Sequence, residues 1–233
     1  MANKDDAAVE RLVNAWAESK AEVRLDEGAG VRIRAALGGA LKPVRVLPSR
    51  RVLAATFLAV SVAWSALVTA ALDKAGFRLM SGSQMAWMMG IFAAGAVLFS
   101  FAVATCMVPG SAQRLLIRAK LVLSAGGVIV GIAVLFPWRL PSAFVSEGWP
   151  CALMEAMIAI PAALVLWLLA RRGALFASAP TGAAIAGLAV LLALAPLQFQ
   201  CMFQQAPHLL AWHVGTAATL VGLGAWVGRG WSA

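Results

Sequence analysis

Over most of this 233-residue chain, apolar residues run in long blocks with short polar breaks. Six blocks approach the roughly 20 mostly apolar residues that span a bilayer: residues 52–72, 85–108, 119–137, 152–170, 181–199 and 208–227. The pattern predicts an all-α fold, a polytopic membrane protein with six transmembrane helices over residues 51–233. A short helical segment, residues 1–50, precedes them and reads as cytoplasmic.

That first segment has a different rhythm. Asp5 or Asp6 can cap a helix, and Glu10 suits its early turns. Val9, Leu12, Val13 and Trp16 then recur at i, i+3, i+4 and i+7, one apolar stripe on a helix of about 15 residues. Gly28 and Gly30 interrupt it. Val31, Ile33 and Leu37 suggest a second, weaker helix before Gly38 and Gly39. Fifty residues cannot bury such a stripe by themselves, so it needs either the membrane surface or a partner's groove. Glu10, Glu18, Glu22, Asp26 and Glu27 dilute the basic charge here, which favours a protein partner.

Composition agrees with the blocks. Hydrophobic residues make up 62% of the chain and charged residues 12%, against roughly a quarter charged in soluble domains. Beyond position 50 the acidic residues are Asp73, Glu147 and Glu155. The net charge of +9 sits at span ends rather than on a nucleic-acid face: Arg45, Arg50 and Arg51, then Arg114, Arg118 and Lys120, then Arg171 and Arg172, then Arg229. Only Lys74, Arg78 and Arg139 fall in the intervening connections. The excess of positive charge therefore puts both termini in the cytoplasm and residues about 73–84, 138–151 and 200–207 outside.

Candidate chemistry is sparse. A nucleotide loop, a Ser/His/Asp arrangement, paired carboxylates and zinc-finger spacing are all missing, so no enzyme is expected. The chain has three cysteines and two histidines, and "CMFQQAPHLLAWH" (Cys201 to His213) holds one cysteine and both histidines. Cys151, at the start of the fourth span, and Cys201 are expected on the same outer side, where an oxidising compartment permits a disulfide. Cys106 lies near the opposite end of the second span. Glu155, four residues after Cys151, shares a helix face with it. Pro207 suits the first turn of the sixth span, and Trp212 suits an interfacial anchor. Along an α-helix, His213 lies about 7 Å beyond His208 and roughly 140° around, a poor two-point clamp. A site therefore requires Cys151, Cys201 or Glu155 from neighbouring helices. Cys151, Cys201, His208, His213 and Glu155 are the candidate redox- or metal-sensing residues. No resident cofactor is expected, although zinc or another soft metal would suit two thiolates and an imidazole.

Several short elements, in order, resemble the NrsF family of inner-membrane anti-sigma factors: "LKPVRVLPS" (41–49), "MVPGS" (107–111), "GWPC" (148–151), "LLARRGA" (168–174), and a cysteine followed by "HLLAWH" (208–213). The resemblance covers nearly the whole chain. It departs at "CMFQQAP" (201–207), where family members often carry a Cys-Pro pair. It implies a six-span protein of the bacterial inner membrane whose N-terminal region holds an extracytoplasmic-function sigma factor. An envelope, oxidative or metal stress signal would release that factor. Val9, Leu12, Val13 and Trp16 are then the candidate sigma-binding residues, with no direct contact to nucleic acid. A small transporter or a membrane-embedded thiol/quinone redox protein is the alternative. Against it, the spans are nearly free of midplane polar groups and no Cys-x-x-Cys pair is present.

Overall fold

The computed structural model describes Val31, Ala35 and residues 48–73, 75–108, 114–140, 142–171 and 179–230. The chain divides into two units, Met1–Val46 and Leu47–Ala233. In the first, Val31 and Ala35 are helical and exposed. The stripe of Val9, Leu12, Val13 and Trp16 lies outside the described residues.

The second unit is helical, with no strand among the described residues. Its helices are α1 (Arg50–Ala71), α2 (Gly82–Cys106), α3 (Arg114–Leu135), α4 (Phe144–Ala170), α5 (Ala179–Gln200) and α6 (Ala206–Gly230). A 3-10 turn, Gly76–Leu79, lies between α1 and α2. Local sequence sets several ends. Ser49, after Pro48, caps α1 by accepting from the Val52 amide at 3.4 Å. Ser81 and Gln84 form a reciprocal capping box on α2: the Gln84 amide donates to Ser81 Oγ at 3.3 Å, and the Ser81 amide to Gln84 Oε1 at 2.8 Å.

Among the described residues, five helices are long and apolar enough to cross a membrane: α1, α2, α4, α5 and α6. The third of the six expected spans, α3, falls short of that length. In α3 the apolar part is Val122–Leu135, because Arg114, Arg118 and Lys120 occupy its opening turns. At 1.5 Å per residue those 14 apolar residues cover about 21 Å, short of a hydrocarbon core of about 30 Å. The fourth helix starts earlier than its apolar block, at Phe144, so Cys151 lies two turns inside it.

The bundle is built around α5, which packs against α1, α2, α4 and α6. Every residue from Ala184 to Leu194 is buried. Large apolar side chains on the outer helices point away from it and are exposed, among them Val62, Phe101, Leu153, Leu164 and Trp226. An apolar exterior around an apolar centre suits a bilayer, where helices gain nothing by hiding leucine from lipid. Small residues let the helices close on α5. A side chain at Gly182 would strike the Gly224 carbonyl oxygen of α6, and one at Gly187 would strike the Phe99 ring of α2.

Three connections meet at one end of the bundle. The 3-10 turn places Gly76 against the carbonyls of Phe199 and Cys201. The Ala206 amide donates to the Pro137 carbonyl at 3.0 Å. Gln84 Nε2 donates to the Leu135 carbonyl at 2.7 Å. The expected grouping of residues 73–84, 138–151 and 200–207 on a common side therefore holds as a grouping.

Candidate metal centre

At this end, four side chains converge from α4, the α5–α6 connection and the start of α6. Ligand atoms of Cys151, Cys201, His208 and His213 all lie within 4.8 Å of one another. Cys201, His208 and His213 are buried and Cys151 is half-buried. Both cysteines are thiols, not joined in a disulfide.

Each ligand is held by its own local structure. Cys151 sits on the α4 face one turn above Glu147, whose carbonyl oxygen lies 3.8 Å from its Sγ. Cys201 closes the last turn of α5, its amide donating to the Leu197 carbonyl at 2.9 Å. Gln204 folds back over this turn. Its amide nitrogen donates to the Cys201 carbonyl at 2.6 Å, and its oxygen accepts from Gln198 Nε2 at 2.8 Å. Behind Cys201, Gly76 leaves no room for a side chain. Cys201 Sγ lies 3.6 Å from His208 Nε2. The neighbouring Cys151 thiol, and burial, push the Cys201 thiol well above its usual range.

The histidines meet because α6 is not a regular α-helix at its start. Leu209–Val214 is a π-helical turn, and the Gly215 amide donates to the Leu210 carbonyl, five residues back. Five is also the separation of His208 and His213. The extra residue held in the turn brings their rings to a centroid distance of 5.6 Å. The expected divergence of about 140° is therefore corrected: it holds for an α-helix and fails for this π turn. Phe203 also packs against His208, ring centroids 5.2 Å apart.

Glu155 is fully buried, and neither of its carboxylate oxygens has a hydrogen-bond partner among the described residues. It is not one of the four converging ligands. Trp212 is half-buried and packs against α4. Its indole occupies the notch at Gly148, where any side chain would collide with it, and its ring lies 5.7 Å from Phe144. Cys106, at the end of α2, is not part of the cluster.

The donor set can be tested against a metal. Two thiols and two imidazoles are the ligands of a closed tetrahedral zinc-type site. His208 Nδ1 and both ring nitrogens of His213 are buried without hydrogen-bond partners among the described residues. Burying polar nitrogens without partners is costly, and a cation bound at the ring would offset that cost. The residues fit a soft or borderline ion.

Sequence reading missed Gly76, Gly148, Phe203, Gln198 and Gln204. Only Gly148 carried a local signal, since in "GWPC" it lies three residues before Cys151 and so near it on one helical face.

Among known families, the model for NrsF, described as a negative regulator of sigma F, matches residues 37–231. No curated relative and no solved structure matches the chain.

Proposed function

The chain belongs to the NrsF family, negative regulators of a sigma factor, and on that premise we propose that it is a membrane-bound anti-sigma factor switched by metal. In this reading residues 1–50 hold an extracytoplasmic-function sigma factor in the cytoplasm. Val9, Leu12, Val13 and Trp16 form the contact face. Residues 51–233 form the sensor in the bacterial inner membrane, with both termini inside. A thiophilic ion binds Cys151, Cys201, His208 and His213 from the outer side, and the sigma factor is released. The chain acts as a regulator rather than an enzyme.

The observation that carries this reading is the convergence of two thiols and two imidazoles within 4.8 Å. The arginines at the span ends support the orientation. Glu155, one turn beyond Cys151 along α4, tunes the site as a buried polar neighbour.

Cobalt or cadmium titration of the detergent-solubilised full chain tests the site. Thiolate-to-cobalt absorption of a tetrahedral centre is expected, lost in Cys151→Ser and in Cys201→Ser. Both variants should also stop releasing the sigma factor under metal stress at unchanged protein level. A wild-type response in both would return the cysteines to a structural role.

A second reading, in which an external two-electron oxidant takes two electrons and two protons from Cys151 and Cys201 to leave a disulfide, is supported by the two thiols sharing one cluster. It leaves the paired imidazoles without a task. His213→Ala separates the two: it abolishes a metal response and spares a purely oxidative one.

A further inference from the structure

A π turn is an α-helix carrying one extra residue. Everything after it is displaced by one residue's rise and rotation, about 1.5 Å and 100°, relative to an uninterrupted helix. In α6 this displacement has consequences at two places.

The first is the ligand cluster, where the π turn Leu209–Val214 brings His213 to His208. Were the turn α-helical, the two imidazoles would lie roughly 140° apart and the four-ligand set would be incomplete. The second is the crossing of α6 over α5. Gly224 faces Gly182 so closely that even a Cβ at Gly224 would collide with that of Ala186 and come within 2.8 Å of the Gly182 carbonyl oxygen. Without the extra residue in the turn, Leu223 would occupy the place of Gly224. A leucine cannot fit where a methyl group does not, so α5 and α6 would have to part.

We propose that α6 has two registers, π and α, and that occupancy of the Cys151–Cys201–His208–His213 site selects between them. This rests on the metal-site reading above and supplies its regulation. The occupied site holds the π register and the closed Gly182–Gly224 crossing. The empty site releases α6 to the α register, which opens the crossing. His213 and Gly224 are eleven residues apart, roughly 16 Å along the helix. A ligand at one end of the bundle thereby moves a helix contact well inside it, with α6 as the rigid link. The register is a discrete, two-state element that both places bias, which is what such coupling requires.

The two ends can be tested separately in the full chain, with cadmium as the probe. Gly224→Leu obstructs the closed crossing without touching a ligand. It lowers the fraction of chain in the binding-competent register, so cadmium affinity at the distant cluster should fall about tenfold. Unchanged affinity would overturn the proposal. Deleting Ala211, an exposed residue of the π turn, does the reverse. His208 and His213 then lie four apart on one face of a plain α-helix, and Gly224 keeps its place at Gly182. This variant should bind cadmium within about threefold of wild type. It has no second register, so release of the sigma factor should sit at the induced level with or without cadmium. Cadmium-dependent release in the deletion variant, or loss of its cadmium binding, would also overturn the proposal. Failure of the metal-site reading is distinguishable: wild-type chain would then bind no cadmium at this cluster, and Cys151→Ser would change nothing.

Discussion

Substituting Gly76 by alanine, in the 3-10 turn before α2, should damage the proposed metal centre from outside its ligand set. Gly76 carries no chemistry and lies far from Cys201 in sequence. Its missing side chain is what lets the turn rest on the α5–α6 connection. A Cβ there would collide with the Cys201 carbonyl oxygen, and would lie 2.9 Å from the Phe199 carbonyl oxygen and 3.0 Å from the Cys201 carbonyl carbon. Ordinary contact begins at 3.4 Å, so even the milder contacts demand about half an ångström of movement. All three atoms are backbone, so no rotamer change can relieve them. Overpacking of this kind costs about 1–3 kcal/mol. Two of the three displaced atoms belong to Cys201 itself, and metal–ligand distances tolerate only about 0.2 Å. Cadmium affinity of the purified chain should therefore fall about 10–100-fold, the loss usual for a disturbed supporting shell. Helicity and membrane insertion should be kept. The measurement is a competitive cadmium titration of Gly76→Ala beside wild type. Affinity within twofold of wild type would refute the argument that this turn positions Cys201.

Other consequences can be checked independently. Gln204→Leu removes the amide that caps the Cys201 carbonyl and leaves that oxygen and Gln198 unsatisfied, at a cost of about 1–3 kcal/mol; a lowered thermal midpoint in detergent is expected. Trp16→Ala should weaken repression by the equivalent of about 2 kcal/mol of sigma-factor binding, with insertion intact; full repression in a reporter strain would make the stripe a membrane-surface helix instead. Because a thiol must lose its proton to ligate, cadmium affinity should fall as pH falls, measured by titration across the neutral range. Cysteine labelling at residues 138–140 should succeed from outside intact cells; labelling only after permeabilisation would invert the orientation proposed here.

Much of this molecule is legible in one dimension. The apolar blocks predicted the helices, because a chain in lipid must satisfy its backbone within each segment. Ser81 and Gln84 set the start of α2 through a capping box between neighbours three apart, a local signal that the reading of the apolar blocks did not use. The cysteines and histidines stood out because reactive side chains are so scarce in this composition. The third helix is the shortest of the expected spans, because the helix starts at Arg114 and its opening turns carry charges, which leaves the apolar part to Val122–Leu135.

What remained belonged to the tertiary structure. Nothing in apolar pattern singles out α5 as the central helix, because a helix facing lipid and a helix facing protein need the same side chains. The pairing of Cys151 with Cys201 depends on which helices are neighbours, and the sequence between them contains no measure of that. Glu155 shares a face with Cys151 yet stays out of the ligand set, since helical spacing says which side a residue is on and not what lies opposite. The π turn is the sharpest case. Residues 206–214 read as ordinary helix from propensity, and their spacing argued against a histidine pair. The turn adopts its wider geometry in a bundle where Gly224 meets Gly182 and Trp212 fills the notch at Gly148. The identities of the site's residues were thus present in the sequence, while their register was decided by packing, because a one-residue shift in a helix changes no local preference and every distant contact.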